Sequence, residues 1–206
     1  MKVLLINGSP HEKGCTYTAL SLIAGELNAA GVETEILNVG TKPVGGCIGC
    51  GGCRSGNGCV FGGVVNEAIE KAKTADAFVF GSPVHYASAA GNMASFMDRL
   101  AYAGGKYLAY KPAAVCCSAR RAGTTSTLDQ LVKYPQFFHM PLVNGSYWAM
   151  VHGSNPEQVL QDAEGCAVMQ ELGRNMAWLL RCIEAGKAAG IDHPQNPPRP
   201  MTNFIR

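Results

Sequence analysis

Four cysteines lie within thirteen residues, and their thiols are well placed in the sequence to act together. Cys47, Cys50, Cys53 and Cys59 follow the spacing C-x2-C-x2-C-x5-C, and seven glycines lie among residues 45–58. Closely spaced thiolates on a glycine-rich backbone that is free to wrap can hold a four-iron cluster. Four thiolates can also hold zinc, and an empty reduced loop is the third interpretation. The residues alone leave these three interpretations open.

A second chemical site is indicated near the start of the chain, where an apolar run at residues 3–6 ends in Gly8-Ser9-Pro10. A helical pattern opens at Thr16, and free N–H groups with the helix dipole make such a helix start an anion site. Neither G-x-G-x-x-G nor a Gly-Lys-Ser/Thr loop is present, so the site predicts a monophosphate such as that of FMN. In the alternative, Thr16 only caps the helix. The candidate binding residues are Ser9, His11, Gly14, Cys15, Thr16 and Tyr17.

Two more loops carry unusual residues directly after apolar runs. Residues 82–88 combine a proline with aromatic side chains, which suits a flat apolar ligand such as a flavin ring. Residues 118–124 contain two adjacent arginines, which could hold a ring-edge oxygen or the phosphate of a nicotinamide cofactor. An ordinary strand-to-helix turn and a solvated basic corner are the alternatives. The candidate cofactor-binding residues in these loops are Ser82, Pro83, Val84, His85, Tyr86, Ser118, Arg120, Arg121 and Gly123.

The elements that must position these loops alternate between strand and helix. Strands are predicted near residues 2–6, 32–39, 77–80 and 113–117, with a fifth that begins at 141–143. Helices are predicted near residues 16–30, 64–73, 89–102 and 124–133, with a long helical tract over 156–189. This alternation predicts an α/β fold with a five-stranded parallel sheet and helices on both faces. In the strand order 2-1-3-4-5, loops 8–15, 82–88 and 118–124 flank one crevice at the carboxyl ends of the strands.

Length and composition limit the organisation and the partners. The 206 residues predict one domain over residues 1–191, with a cysteine loop (residues 43–63) inserted after the second strand and a proline-rich tail over 192–206. A net charge of +2 gives no electrostatic basis for binding nucleic acid. We find no apolar run of membrane-spanning length and no signal peptide, so we expect no membrane association and a cytoplasmic protein. In that compartment the nine cysteines should be free of disulfides.

The three loops together resemble the flavodoxin-like NAD(P)H-dependent FMN reductase superfamily. The residues that carry the resemblance are Gly8-Ser9-Pro10 with Thr16, then the run from Gly81 to Tyr86, then Gly91 with Asp98-Arg99. The spacing of the four cysteines is similar to that of the iron–sulfur flavoprotein branch. The resemblance implies a flavodoxin-like fold that binds FMN, with Cys47, Cys50, Cys53 and Cys59 ligating one [4Fe–4S] cluster at a dimer interface near the flavin.

The predicted function is that of an FMN-dependent oxidoreductase. It would accept electrons from NAD(P)H or from a redox protein such as ferredoxin, and pass them to a small acceptor, with the cluster as an intermediate carrier. The flavin would perform the chemistry, so no catalytic side chain is predicted. The alternatives are a non-catalytic flavin and iron–sulfur electron carrier, and a zinc-stabilised interaction module without flavin. The resemblance also implies a homodimer or a homotetramer.

Several other residues are interpreted as structural. We expect Cys116, Cys117, Cys166 and Cys182 to pack in the interior, and Trp148 and Trp178 to be buried. Asp98 and Arg99 are expected to form an ion pair on a helix surface.

Overall fold

Five parallel strands form the centre of the protein in the computed structural model, which describes residues 1–198 and 200–204. With a short antiparallel strand, β4, the structure has six strands: β1 (Lys2–Asn7), β2 (Glu33–Asn38), β3 (Ala77–His85), β4 (Ser88–Ala89), β5 (Ala113–Ala119) and β6 (Met150–His152). The parallel strands lie in the order β2-β1-β3-β5-β6, and the short β4 pairs antiparallel with the end of β3. Apart from β4, which the sequence analysis did not count, this is the predicted order, and the flavodoxin-like fold is confirmed.

Helices cover both faces of the sheet, as predicted. They are α1 (Cys15–Ala29), α2 (Val64–Thr74), α3 (Gly91–Gly104), α4 (Thr124–Phe137), α5 (Pro156–Val159) and α6 (Ala163–Ala188). Successive side chains of β1 point to opposite faces. Val3 and Leu5 therefore pack with α1 and α6, whereas Leu4 and Ile6 pack with α2 and α3. All four are essentially inaccessible to solvent, which explains why the strand reads as an unbroken apolar run.

The fifth strand is interrupted close to where it was predicted to begin. Leu142 forms an isolated parallel bridge with Ala113, and the strand that pairs with Cys117–Ala119 begins only at Met150. Between them the chain leaves the sheet, and there the Ser146 N–H donates to the Glu171 carboxylate on α6 at 2.7 Å.

The predicted long helical tract is two helices. Residues 160–162 separate α5 from α6, and Asp162 caps α6 by accepting from the Gly165 N–H at 2.9 Å. Gly173 lies inside α6 against α1, where an added Cβ would approach the Ile23 carbonyl oxygen to 2.7 Å. This glycine lets the two helices pack closely on one face of the sheet.

The expected interior positions are partly wrong. Cys116 and Cys117 are fully buried, as predicted, but Trp148, Trp178 and Cys182 are exposed. The described residues of the tail add no helix or strand, and His193 stacks on Tyr110 with ring centroids 4.3 Å apart. The boundary between residues 191 and 192 stays a prediction, and residues 199, 205 and 206 of the predicted tail lie outside the described residues. Over the described chain, we find no helix both long and apolar enough to cross a bilayer.

Candidate functional site

The three predicted loops lie together at the carboxyl edge of the sheet, and we call them the three-loop edge (residues 8–15, 82–88 and 118–124). The first and third loops are joined by a hydrogen bond of 2.8 Å between the hydroxyls of Thr16 and Ser118, both buried. The second and third loops touch at Gly123, where an added Cβ would lie 2.7 Å from the Ala87 Cα. The fold therefore places the ends of β1, β3 and β5 around one place.

The first loop leads into a helix whose N terminus has no side-chain cap. Gly14 occupies the N-cap position of α1 and provides no capping hydrogen bond. The first N–H groups of a helix have no intrahelical acceptor, so this terminus fits an anion. Thr16 lies one residue inside the helix and bonds Ser118 instead of the helix backbone, so its interpretation as a simple cap is wrong.

Asn7 holds this loop in place, and sequence reasoning missed it. Its amide group donates to the Asn38 side chain at 2.8 Å and to the Glu12 carbonyl at 3.2 Å, while its Oδ1 accepts from the Ser9 N–H. The Ser9 hydroxyl in turn accepts from the His11 N–H at 3.1 Å. The only sequence signal was a polar residue at the end of an apolar strand.

The other first-loop candidates differ in exposure. His11 is exposed, while Gly14, Cys15 and Tyr17 are half-buried. Burial raises the pKa of the Cys15 thiol, and its Sγ donates to the Gly153 carbonyl.

The second loop is the extension of β3, which runs on to His85 before a tight turn into β4. The turn residues Tyr86 and Ala87 have φ of 50° and 59°, a region that non-glycine residues rarely adopt. Turns with positive φ at both central residues match the twist of a hairpin, but usually contain Asn-Gly. Strain of this kind is found most often at binding sites.

Polar side chains fasten this turn from neighbouring elements. Gln130 Oε1 on α4 accepts from the Ser88 hydroxyl at 2.7 Å and from the Ala89 N–H at 2.8 Å. The Ser82 hydroxyl is buried and bonds the backbone of Pro83 and Ala90, so it holds the loop in place. The remaining candidates present an apolar, partly exposed surface: Pro83 and Val84 are half-buried, and His85 and Tyr86 are exposed.

The third loop exposes both of its arginines. Arg120 and Arg121 form no ion pair with any described residue, so both guanidinium groups can meet an external anion. Gly123 has φ of 90° and its backbone lies against Ala87, so a side chain there would be strained and would clash. The loop thus combines two accessible cations with a position that only glycine fits.

The cysteine loop follows β2 and is hydrogen-bonded to asparagine side chains of α2 and α3. Asn92 on α3 accepts from the Val44 N–H at 3.1 Å and donates to the carbonyls of Gly40 and Lys42. Asn66 on α2 accepts from the Cys59 N–H at 2.8 Å and donates to the Cys59 carbonyl at 3.0 Å. Side chains on two helices therefore fix both ends of a loop that contains little regular structure of its own.

The four predicted ligands share one cavity. Cys47 and Cys50 are exposed and Cys53 and Cys59 are half-buried, and all four carry free thiols. They line a cavity of about 200 Å³. Among residues 1–198 and 200–204, no three histidine, cysteine or acidic side chains are already close enough to share a metal ion. The four thiols of the described structure share this cavity without converging on one point.

Arg99 points from α3 into this region and not towards Asp98. Its Nε donates to the Cys59 Sγ at 3.2 Å, whereas the Asp98 carboxylate accepts from the Tyr134 hydroxyl at 2.6 Å. The predicted surface ion pair between Asp98 and Arg99 is therefore wrong. Burial, with the bond to Asp98, raises the pKa of Tyr134 above its usual value, so this phenol remains protonated.

A single helix links the two regions. α3 begins at Gly91, immediately after β4 and the second loop, and reaches Arg99 eight residues later. At about 1.5 Å per residue this is a span of about 12 Å. The three-loop edge and the cysteine loop are thus attached to the same rigid element.

Comparisons with known proteins agree with this geometry. The profile of the NADPH-dependent FMN reductase family matches residues 1–155. An iron–sulfur flavoprotein of Methanocaldococcus jannaschii is 28% identical over 192 residues, covering 89% of this chain and 100% of that protein.

Two solved structures share the fold at low identity. RosB with a bound 8-demethyl-8-formylriboflavin-5′-phosphate has a TM-score of 0.66 and 14% identity, over 100% of this chain and 94% of that chain. An NADH:FMN oxidoreductase in its apo form has a TM-score of 0.61 and 19% identity, over 88% of each chain. At such identities the likeness concerns the fold alone.

Proposed function

The chain belongs to the NADPH-dependent FMN reductase family and is an FMN-dependent oxidoreductase, and from this premise we propose its electron donor, its electron acceptor and the carrier between them. In this proposal NADPH or NADH is the donor and a small molecule is the acceptor. The cysteine loop holds a [4Fe–4S] cluster that passes electrons between the two. The observation that supports the proposal is that α3 connects two regions. The three-loop edge is suited to a flavin phosphate, and the cysteine loop is suited to a thiolate-bound group.

The three-loop edge fits FMN by its chemistry. The uncapped start of α1, with the Ser9 and Thr16 hydroxyls beside it, would hold the phosphate. Backbone and side chains of residues 83–86 would form the apolar wall and ring edge, and the Ser118 and Gly123 segment would close the opposite side. Bound FMN supplies the hydride and electron chemistry, while the protein orients it and sets its electrostatic surroundings.

The exposed arginines of the third loop are assigned to the nicotinamide donor. Arg120 and Arg121 follow β5 and are free of ion pairs among the described residues, so either can bind a phosphate oxygen. Adjacent residues point in different directions, so one of the two is expected to carry this contact. Its role is to position the donor, since hydride transfer needs reacting atoms about 3–3.5 Å apart.

The cysteine loop fits a cluster by donor type, number and charge. Four thiols line one cavity, the backbone is glycine-rich, and the buried Arg99 supplies a positive charge beside Cys59. Zinc would find the same thiolates, so metal analysis must decide between the two. Large apolar side chains are exposed around this cavity, and we propose that they are covered in a homodimer or homotetramer. They are Ile48, Val60, Phe61 and Tyr102.

The decisive experiment is an anaerobic purification followed by reduction. Extracted flavin should chromatograph as FMN, and predominant FAD would contradict the phosphate site. Stopped-flow bleaching of the flavin band should be fast with NADPH or NADH. Fast bleaching by reduced ferredoxin alone would make the protein an electron carrier, and a colourless zinc protein would make it an interaction module.

The oligomeric proposal has its own measurement. Light scattering at micromolar concentration should give two or four times the chain mass of 21.7 kDa. A monomeric mass would contradict it without affecting the flavin assignment.

A further inference from the structure

Arg99 is a buried cation whose partners are all formally neutral in the described structure. It is 6% exposed. Its Nη2 donates to the Gly62 carbonyl at 3.0 Å, its Nη1 to the Gly45 carbonyl at 3.4 Å, and its Nε to the Cys59 Sγ at 3.2 Å. The guanidinium also lies over the Phe61 ring, 5.4 Å from its centroid. No carboxylate of the described residues is paired with it.

Such an arrangement is costly unless an anion completes it. A buried charge is normally paired, because carbonyl oxygens and an aromatic face replace only part of its hydration. The Nε already contacts the Cys59 sulfur, which would be a thiolate if it ligated a metal group. The three other cysteines line the same cavity, so ligation of a group by four thiolates would bring net negative charge beside Arg99.

We propose that Arg99 is the positioning and charge-compensating residue of the cysteine loop, and that it raises the reduction potential of the cluster held there. The inference rests on the proposed cluster. A hydrogen bond to a ligating sulfur and a nearby positive charge both favour the reduced, more negative state of a cluster. Arg99 also fastens both ends of the loop, because Gly45 precedes the first cysteine and Gly62 follows the last. One residue on α3 thus sets both the shape and the potential of the site.

The test compares three variants purified and reconstituted anaerobically with iron and sulfide. Arg99→Gln removes the charge, and Arg99→Lys keeps the charge but loses the planar fork. Arg54→Gln is the matched control, because Arg54 lines the same cavity but is exposed, and its side chain forms no hydrogen bond with a cysteine of the described residues. Iron, sulfide and flavin content are measured first, and the cluster midpoint potential is then titrated anaerobically.

We expect Arg99→Gln to lower the ratio of reduced to oxidised cluster about tenfold at a fixed potential, which is about 59 mV for one electron. Arg99→Lys should shift less, and Arg54→Gln least. If Arg99→Gln takes up no cluster, uptake by Arg99→Lys at matched flavin content supports the charge role. Loss of the cluster from both variants at matched flavin content would overturn that role and leave Arg99 as a clamp on the loop carbonyls.

Two further outcomes separate this inference from the proposed function. A normal cluster with an unchanged potential in Arg99→Gln would overturn the role of Arg99 and leave the cluster intact as a proposal. A wild-type chain that binds no iron under the same reconstitution would overturn both.

Discussion

The three-loop edge and the cysteine loop are both connected to α3, but they are built in opposite ways. The first is made from the ends of parallel strands, and its loops touch through buried hydroxyls and backbone, as at Thr16, Ser118 and Gly123. The second is a glycine-rich segment held from outside by side chains of Asn66, Asn92 and Arg99. The first is preformed by the sheet, whereas in the second the four thiols line one cavity without converging on one point among the described residues.

This difference indicates how each region should respond to change. In a preformed site, a substitution that removes one contact should lower affinity by about the free energy of that contact. A metal site that forms only as the metal binds depends on each of its ligating side chains, because binding and local ordering are coupled. The predictions below test this contrast, from the largest expected effect to the smallest.

Cys50→Ala should abolish the cluster while leaving the flavin. Iron and sulfide in the anaerobically reconstituted chain should fall from about four per chain to near zero, because a cubane needs four ligands. Flavin content should be unchanged, since no part of the three-loop edge involves Cys50. Metal analysis and flavin absorbance of the same sample measure both quantities.

The control for this prediction is Cys182→Ala, which removes an exposed thiol on α6. It should keep full iron content. Equal iron in the wild type, Cys50→Ala and Cys182→Ala would show that the metal is adventitious, and coupled loss of flavin and iron would break the contrast between the regions.

Gly123→Ala should damage the three-loop edge most. The φ of 90° and the approach of the new Cβ to Ala87 Cα would force the second and third loops apart. Backbone strain alone costs about 1–3 kcal/mol, so FMN affinity should fall by roughly a hundredfold or more once the clash is added. Fluorescence titration of the apoprotein with FMN measures the change.

Gly25→Ala is the matched control for this substitution. Gly25 lies within α1 and an added Cβ meets nothing within 4 Å. The free energy of unfolding should rise by about 0.5–1 kcal/mol, because alanine is the better helix former. Equal losses of FMN affinity in both variants would mean that the contact between the second and third loops does not shape the site.

Thr16→Val should have an intermediate effect. It removes the hydroxyl at the start of α1 and leaves the buried Ser118 hydroxyl without this partner. A charge-assisted hydrogen bond contributes about 1.5–3 kcal/mol, so FMN affinity should weaken by roughly ten- to a hundredfold. Thr34→Val, whose hydroxyl bonds Asn28 on the surface, should leave affinity unchanged. Unchanged FMN affinity in Thr16→Val would show that the phosphate does not bind at the start of α1.

Much of the fold follows from local sequence, because apolar strands and amphipathic helices bury their own side chains wherever they occur. β1 was predicted for this reason, since Leu4 and Ile6 serve one face of the sheet while Val3 and Leu5 serve the other. The position of β6 was not, because the apolar run at 141–143 forms only a bridge with Ala113 and the pairing with β5 resumes at Met150. No local pattern shows where the chain leaves the sheet and returns to it.

The site shows the same division. Loops at strand ends could be predicted as neighbours, since parallel topology brings the ends of alternate strands together. Asn7, Asn92 and Arg99 could not, because each of them bonds a partner 31 to 54 residues away along the chain, which no local sequence pattern indicates. The cofactor-binding and ligand roles assigned from sequence stay predictions for the experiments above.

The smallest expected effect concerns the donor at the rim of the three-loop edge. Arg120→Ala should raise the apparent KM for NADPH by about two- to tenfold, because an exposed ion pair contributes about 0.2–1 kcal/mol and a charge-assisted bond somewhat more. The kcat should change less, since the contact positions the donor in ground and transition states alike. The effect should shrink at high salt, where exposed charges are screened.

Arg121→Ala decides which arginine faces the site, and Arg174→Ala, which breaks a pair with Glu26 on α1, is the control. An unchanged KM in both Arg120→Ala and Arg121→Ala, with normal flavin content, would show that neither arginine binds the nicotinamide donor. A fall in kcat at constant KM would instead assign the arginine to the flavin ring.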